Sequence, residues 1–448
     1  MSIASTVPAS SAGDSAALPG GPTFHDLGLA PHLVKALDAA GFENPFPIQA
    51  MCIPDAVAGR DVSGKARTGS GKTLAYGLPL LQRTSPARKR RPRSLILVPT
   101  RELALQVVAE LRPFARVAEL RLAAIYGGAS LIRQVKELHS GVDLVVATPG
   151  RLNDLLERKE MSVSDVESVV IDEADQMADM GFMPQVRAIL NQASNDHQTL
   201  LFSATLDGSI GTFVREYQHD PVTHEAPGAE VSIETLDQRF IGVGNASRVR
   251  VAAEICSAVE RSIIFVRTRH GADRLAKQLG NEGLEAAPIH GGLNQRQRER
   301  TLGAFSRGRV RALVATNVAA RGIHIDDVNT VLHFDLPEDG KTYLHRSGRT
   351  ARAGADGLVV TLVMPGEERD VRDLQREAGV HLSTVPMEPG DERLTDLRAW
   401  APPAPSPAPK GGGRKPDFAE NRSGGRAGAP AHRRKRQAPR HPGSGKQR

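Results

Sequence analysis

The chain has 448 residues, 40% hydrophobic and 24% charged, enough apolar sequence for two or three packed domains and too much for global disorder. Its two cysteines, Cys52 and Cys256, exclude a disulfide scaffold and a cysteine-rich zinc site, and fit a reducing, cytoplasmic compartment. The net charge of +7 is unevenly placed: Ala401 to Arg448 hold 12 Lys/Arg against 2 Asp/Glu, a balance of +10, and the rest of the chain holds 46 against 49, a balance of −3.

In chain order, residues 1–22 read as a flexible lead without the charged and apolar regions of a secretory signal. Residues 23–220 alternate short apolar runs with longer helical patterns; Ser94–Val98, Asp143–Ala147, Ser168–Ile171 and Gln198–Phe202 are the predicted strands. Runs that are apolar on both faces predict a parallel sheet covered by helices on both sides, an α/β fold. Residues 221–235 are polar and read as a linker. Residues 236–380 restart the alternation, with strands expected at Ser262–Val266, Ala286–Ile289, Arg311–Ala315, Thr330–Phe334 and Leu358–Val363. Residues 381–448 read as a Pro-, Gly- and Arg-rich basic tail that cannot pack a core. No apolar run approaches the roughly 18 residues of a membrane helix, so no membrane contact is expected. Two α/β domains joined by a short linker predict a ligand held in the cleft between them.

The segment Ala66-Arg67-Thr68-Gly69-Ser70-Gly71-Lys72-Thr73 follows a candidate strand at Asp61–Lys65 and opens a helix at Leu74–Gln82. Gly69 and Gly71 let backbone N–H groups approach phosphate oxygens, and the helix N-terminus adds a favourable dipole. Lys72 would reach the β and γ phosphates of ATP and the Thr73 hydroxyl would bind Mg²⁺. The general pattern begins with Gly, where this chain has Ala66. Further on, Asp172-Glu173-Ala174-Asp175 follows the apolar strand, so its carboxylates fall at the strand end where α/β sheets hold ligands. Asp172 suits hydrated Mg²⁺, Glu173 the attacking water, and Asp175 a relay to another loop. An acidic helix start has the same appearance; the partnering phosphate loop separates the two readings. In the second domain Arg346, Arg349 and Arg352 recur every third residue, and Arg349 and Arg352 are candidates for the positive charge that a phosphoryl transition state needs from outside the phosphate loop.

These motifs, in this order, resemble the DEAD-box ATP-dependent RNA helicases of bacterial type, and the likeness spans about Phe24 to Val380. The resemblance implies two tandem RecA-like domains and RNA-stimulated ATP hydrolysis. Phe24, Gly41-Phe42, Pro45, Pro47-Ile48 and Gln49 look like the Q motif, which implies that Gln49 reads the adenine edge and Phe42 stacks on the base; Phe46 stands where the family usually has a small hydroxyl residue. Pro99, Thr100 and Arg101 (motif Ia), Gly127 and Gly128, and Thr148, Pro149, Gly150 and Arg151 (motif Ib) imply loops that grip the RNA backbone without reading bases. Thr100 and Pro149 would serve equally as a helix cap and a first helical residue. Ser203 and Thr205 resemble motif III and, with Asp175 and His345, imply coupling between hydrolysis and RNA contact. Arg267 in motif IV, His290 and Gly291 before Gln295 and Arg298, and Thr316 in motif V complete the implied RNA set.

Motif V departs from the family, which usually has Asp where this chain has Asn317 and His324. Neither residue carries a fixed negative charge at neutral pH. The departures motivate a second reading, an ATP-dependent RNA clamp or assembly platform that hydrolyses weakly. A related DNA helicase is a third, opposed by the Q motif and by the Asp-Glu-Ala-Asp sequence. In the tail, His432-Arg-Arg-Lys-Arg436 reads as a nonspecific RNA anchor through phosphate attraction, and its proline-rich opening is compatible with docking a protein partner.

Overall fold

The apolar runs become the inner strands of two parallel sheets, because a strand buried on both faces needs helices above and below it. The computed structural model describes residues 21–66, 69–227, 236–320, 328–350 and 357–403. The chain divides into two units, Met1–Pro405 and Ser406–Arg448, and every described residue belongs to the first.

The first domain opens with a 3-10 turn (Phe24–Leu27), α1 (Pro31–Ala39) and α2 (Pro47–Val57). It continues through β1 (Val62–Lys65), α3 (Lys72–Arg83), β2 (Ser94–Leu97), α4 (Arg101–Val117), β3 (Leu122–Ile125), α5 (Leu131–Ser140), β4 (Leu144–Ala147) and α6 (Pro149–Glu157). It ends with β5 (Ser168–Asp172), α7 (Ala174–Asp179), α8 (Met183–Leu190), β6 (Gln198–Ser203), α9 (Gly208–Tyr217) and β7 (Val222–Glu225). The second domain runs β8 (Leu236–Gly242), α10 (Arg248–Ser257), β9 (Ser262–Val266), α11 (Arg269–Asn281), β10 (Ala286–Ile289), α12 (Gln295–Ser306), β11 (Ala312–Thr316) and α13 (Asn317–Ala320). β12 (Thr330–His333), α14 (Gly340–Ser347), β13 (Gly357–Val363), α15 (Glu368–Ala378), β14 (Thr384–Pro386) and a 3-10 turn (Glu392–Thr395) complete it.

The strand orders are β3-β4-β2-β5-β6-β1-β7 and β10-β11-β9-β12-β13-β8-β14. Renumbered from their own first strands, the two orders are identical. Alternate residues serve opposite layers: Ile96, Val146 and Val170 pack beneath α3 and α4, while Leu95, Val145 and Val169 pack on the far face with Val186 and Phe213. This fold brings the ends of β1 and β5 to one edge of the first sheet, with β6 paired between them.

Two boundaries read from sequence move. β7 forms inside the segment read as a linker and pairs in register with β1, Val62 opposite Val222. β14 pairs with β8, Thr384 opposite Phe240, so the second domain does not stop at Val380. It continues to Trp400, whose ring lies 5.8 Å from the Arg239 guanidinium and 5.4 Å from that of Arg393. Both strands are short and at a sheet edge, where one side needs no apolar cover. Among the described residues no helix is long and apolar enough to cross a membrane.

Candidate nucleotide site and nucleic-acid interface

The phosphate loop joins β1 to α3. Gly69 (φ 87°) and Gly71 (φ 82°) adopt the left-handed conformation that only glycine enters freely, and Gly71 caps α3. A Cβ on Gly71 would fall 2.5 Å from Gln49 Nε2 and 2.8 Å from the Phe46 ring. That closeness reflects a brace: Gln49 donates from Nε2 to the Gly71 carbonyl (3.0 Å) and accepts from the Phe46 N–H (2.8 Å). Gln49 is thus engaged at both amide ends with the loop and its own helix start. Phe46, which departs from the family pattern, takes part in this brace. Ala66 is fully buried and donates its N–H to the Ser203 carbonyl (3.0 Å), so Gly is not needed there. Arg67 and Thr68 lie outside the described residues.

Lys72, on the first turn of α3, is buried with its Nζ 3.6 Å from Asp172 Oδ1. Asp172 also accepts from Tyr76 Oη (2.9 Å) and from the Glu173 N–H (2.9 Å). Tyr76 was not singled out from sequence, although its place four residues after Lys72 puts both on one face of α3. Burial works against the Lys72 ammonium, but Asp172, Glu173 and Asp175 outweigh it and hold the group above the ordinary lysine range. Burial lifts Asp172 above the ordinary carboxylate range, opposed by Lys72 and reinforced by Glu173. Burial and Asp172 together raise the Tyr76 phenol. Three buried carboxylates facing one buried ammonium leave an excess of negative charge that a divalent cation would neutralise. Among the described residues no group of three or more His, Cys, Asp or Glu could form a metal cage. One carboxylate, one hydroxyl and substrate oxygens suit Mg²⁺, which seldom takes an all-protein cage.

Glu173 follows β5 in a left-handed conformation (φ 53°, ψ 50°) at the N-cap of α7. A non-glycine residue there costs about 1–2 kcal/mol, and such outliers gather where a site demands a particular side-chain position. Asp175 is tied to motif III: its N–H donates to Ser203 Oγ (3.3 Å), which also accepts from the Thr205 N–H (3.3 Å). Phe24 sits in the core at 2% exposure, so its place is packing rather than an open base-binding face. Phe42 is half-buried, 6.3 Å from the Phe114 ring.

The two domains meet beside this site. Arg349 shares a small cavity with Gln176 of α7, Phe265, Asn317 and Arg346. Arg346 is buried; its Nε donates to Asn317 Oδ1 (2.6 Å), its Nη1 to the Asp335 carbonyl (3.1 Å), and it stacks over Phe265 at 5.1 Å. Asn317 therefore supplies the acceptor for Arg346 without a charge. Asp179, at the end of α7, pairs with Lys341 Nζ (2.8 Å) and lies 4.0 Å from His345 Nδ1. Arg352 and His324 lie outside the described residues.

The residues read as RNA contacts fall around two cavities. One, of about 440 Å³, is lined by Pro99, Thr100, Arg101, Gly127, Thr148, Gly150 and Arg151 of the first domain, with Gly291, Arg298 and Ala319 of the second. Gly128 adjoins Arg101, since a Cβ on it would meet Arg101 Nη1 at 2.6 Å. Arg298, 4% exposed, donates from Nε to Glu102 Oε1 (2.8 Å) and so closes the cavity across the domains. Thr100 and Pro149 also serve as helix starts: Thr100 accepts the Leu103 N–H (3.3 Å) and Pro149 opens α6. The other cavity, of about 400 Å³, holds Arg267 and Thr316 with Asp179 and Lys341. His290 lines neither. Its Nδ1 accepts from the Gly292 N–H (3.1 Å) and its Nε2 faces Asp273 (3.0 Å), so the ring holds the Gly291 loop in place.

The DEAD/DEAH box helicase family matches residues 46–213, and the helicase conserved C-terminal domain family matches residues 248–354. The chain is 38% identical over 374 residues to the DEAD-box ATP-dependent RNA helicase CshA of Bacillus cereus, covering 83% of this chain and 71% of that protein. Its fold is similar to S. cerevisiae Dbp5 bound to RNA and ADP BeF3, with a TM-score of 0.73 and 30% identity over 84% of this chain and 98% of that one. It is also similar to Mss116p bound to ssRNA and AMP-PNP, with a TM-score of 0.72 and 26% identity over 85% and 82%.

Proposed function

The chain belongs to the DEAD-box family of ATP-dependent RNA helicases, and we propose that its own residues divide the work of an RNA-stimulated ATPase across the two domains. Backbone N–H groups of the loop from Gly69 to Thr73 cradle the phosphates, and Lys72 meets the β and γ oxygens. Thr73 and Asp172 would hold Mg²⁺. That ion would supply positive charge against the negative charge that develops on the γ-phosphoryl group. Tyr76 and the Glu173 N–H fix the orientation of the Asp172 carboxylate. Glu173 positions the attacking water and takes its proton. Arg349 and Arg352 approach from the second domain and stabilise the equatorial oxygens, so hydrolysis needs the domains together. Gln49, through its bond to the Gly71 carbonyl, links adenine recognition to the shape of the phosphate loop.

Arg101, Thr148, Arg151 and backbone amides hold an RNA strand by its phosphates, and Gly291 and Thr316 extend the grip to the second domain. RNA and ATP then favour the same closed arrangement, which makes their binding cooperative. We assign local separation of short duplexes as the outcome. The tail from Ala401 is proposed as an RNA anchor on its charge alone, with protein partners as a second use of its proline-rich start. We place the protein in the cytoplasm, a location in keeping with its two buried free thiols.

The observation that carries the reading is the buried Lys72–Asp172–Tyr76–Glu173 cluster with Arg349 beside α7. At the first motif V departure Asn317 still accepts a hydrogen bond from Arg346, so the clamp reading rests on His324. The test is the steady-state ATPase rate with and without single-stranded RNA, with single-stranded DNA and Glu173→Gln as controls. RNA-specific stimulation abolished by Glu173→Gln is the expected result. ATP and RNA binding without stimulation would leave the clamp.

A further inference from the structure

One wall of the larger cavity differs in chemistry from the rest. The hydroxyls of Thr100 and Thr148, glycine backbone and the guanidiniums of Arg101, Arg151 and Arg298 suit a phosphate, with the carboxylates of Glu102 and Asp154 set beside those arginines. Met180 and Phe182 also line the cavity, and neither can bind a phosphate. They flank Gly181 (φ 73°) in the turn between α7 and α8. Phe182 is half-buried and packs partly on the core, whereas Met180 is half-exposed and, among the described residues, does not count among the side chains packed on either core layer of this domain. A nucleic acid offers an apolar side chain two surfaces, the face of a base and the C–H edge of a ribose.

We infer that Met180 and Phe182 form an apolar contact for a base or ribose of the bound strand, beside the phosphate grip. Stacking on such residues tolerates any sequence, because every base has a π-face. The contact fits a helicase that holds RNA without reading it, and it rests on the RNA reading above. Its position carries the consequence. The turn ends α7, a helix of six residues whose other end follows Glu173. Asp179, immediately before Met180, is held by Lys341 of the second domain at 2.8 Å. One short rigid element therefore joins the water-positioning carboxylate, a strand contact and the partner domain. RNA pressed against Met180 and Phe182 bears on the element that begins at the hydrolytic site.

The test uses the full-length protein and single-stranded RNA carrying one 4-thiouridine, walked along the strand, with a non-hydrolysable ATP analogue. Photocrosslinking is expected to give an adduct on the peptide containing Met180 and Phe182 at one or two strand positions. Met180→Ala and Phe182→Leu are expected to raise the RNA concentration for half-maximal ATPase stimulation about tenfold. Maximal stimulated turnover should fall far less, and Phe182→Tyr should restore the wild-type concentration. Adducts absent from the turn, with the RNA concentration unchanged in both variants, would overturn the inference. Equal losses in turnover and in RNA affinity without rescue by Phe182→Tyr would reduce the turn to structure and overturn it too. Wild-type protein that RNA fails to stimulate would instead sink the RNA reading beneath it.

Discussion

The two domains repeat one strand order, yet only the first enters the helix after its first strand through left-handed glycines. In the first domain β1 leads through glycines in the left-handed conformation to Lys72 at the start of α3. In the second, β8 leads to Ser247 and then Arg248 at the start of α10. The Arg248 guanidinium lies 4.0 Å from the Phe334 ring centre and 3.1 Å from Asp335 Oδ1. Both domains thus start this helix with a cation paired to a carboxylate of the same domain, and they differ in the left-handed glycine loop that only the first has before it. The fold is shared because buried parallel strands demand it, and the chemistry diverges in a connection of a few residues.

That contrast can be broken in several ways. The largest effect is expected from Glu173→Gln, which should lower the turnover number by about a hundred- to ten-thousandfold while nucleotide binding persists, read by steady-state kinetics and nucleotide titration. Next, Gly71→Ala should abolish tight ATP binding, since its Cβ would press on Gln49 and Phe46 and its φ of 82° is strained for alanine. The comparable change in the second domain, Gly244→Ala, meets Ser247 Oγ at 3.3 Å and Glu388 Oε1 at 4.0 Å and should leave ATP affinity near wild type in the same titration. If both variants behave alike, the two connections are not functionally distinct. A smaller loss is expected from Tyr76→Phe. Removing its donor from the buried Asp172 should cost about 1–3 kcal/mol in chemical denaturation.

The smallest effect concerns pH and the second domain alone. His333 is fully buried beside Arg346; burial, aided by that cation, holds its pKa well below the usual imidazole range. The folded protein keeps it neutral while the unfolded chain takes up a proton near pH 6.5. Its stabilising contribution is therefore complete above that pH and lost as pH falls below it, by about 1 kcal/mol at pH 5.5. His333→Gln should flatten the acid side of the stability curve by that amount. An unchanged slope would show that His333 does not titrate on unfolding.

Most inner strands were legible because their runs are apolar on both faces. The inner strand β8 and the edge strands β3, β7 and β14 were not; in the last two, Val222-Thr-His-Glu225 and Thr384-Val-Pro386 need to cover only one side. The phosphate loop was legible from glycine spacing, and the acidic cluster from its place after β5. Tyr76 was missed because a tyrosine inside an apolar helix resembles core until Asp172 is placed opposite it by the sheet. Phe24 reads as part of the Q motif by resemblance, and folding places it in the core. His290 reads as an RNA contact, and its two ring nitrogens hold a loop. In each case the residue type was visible and its partner, far away in sequence, was not.

The clamp of Trp400 between two arginines bears on where the chain can be cut. Removing everything after Val380 would strip β14 from β8, a seven-residue strand whose Phe240 and Ile241 are buried, and leave its backbone donors and acceptors exposed. An uncapped apolar edge is a template for pairing with a second chain. A deletion that begins after Trp400 keeps that edge covered, whereas one twenty residues earlier should drive the protein into aggregates rather than test the charge of its tail.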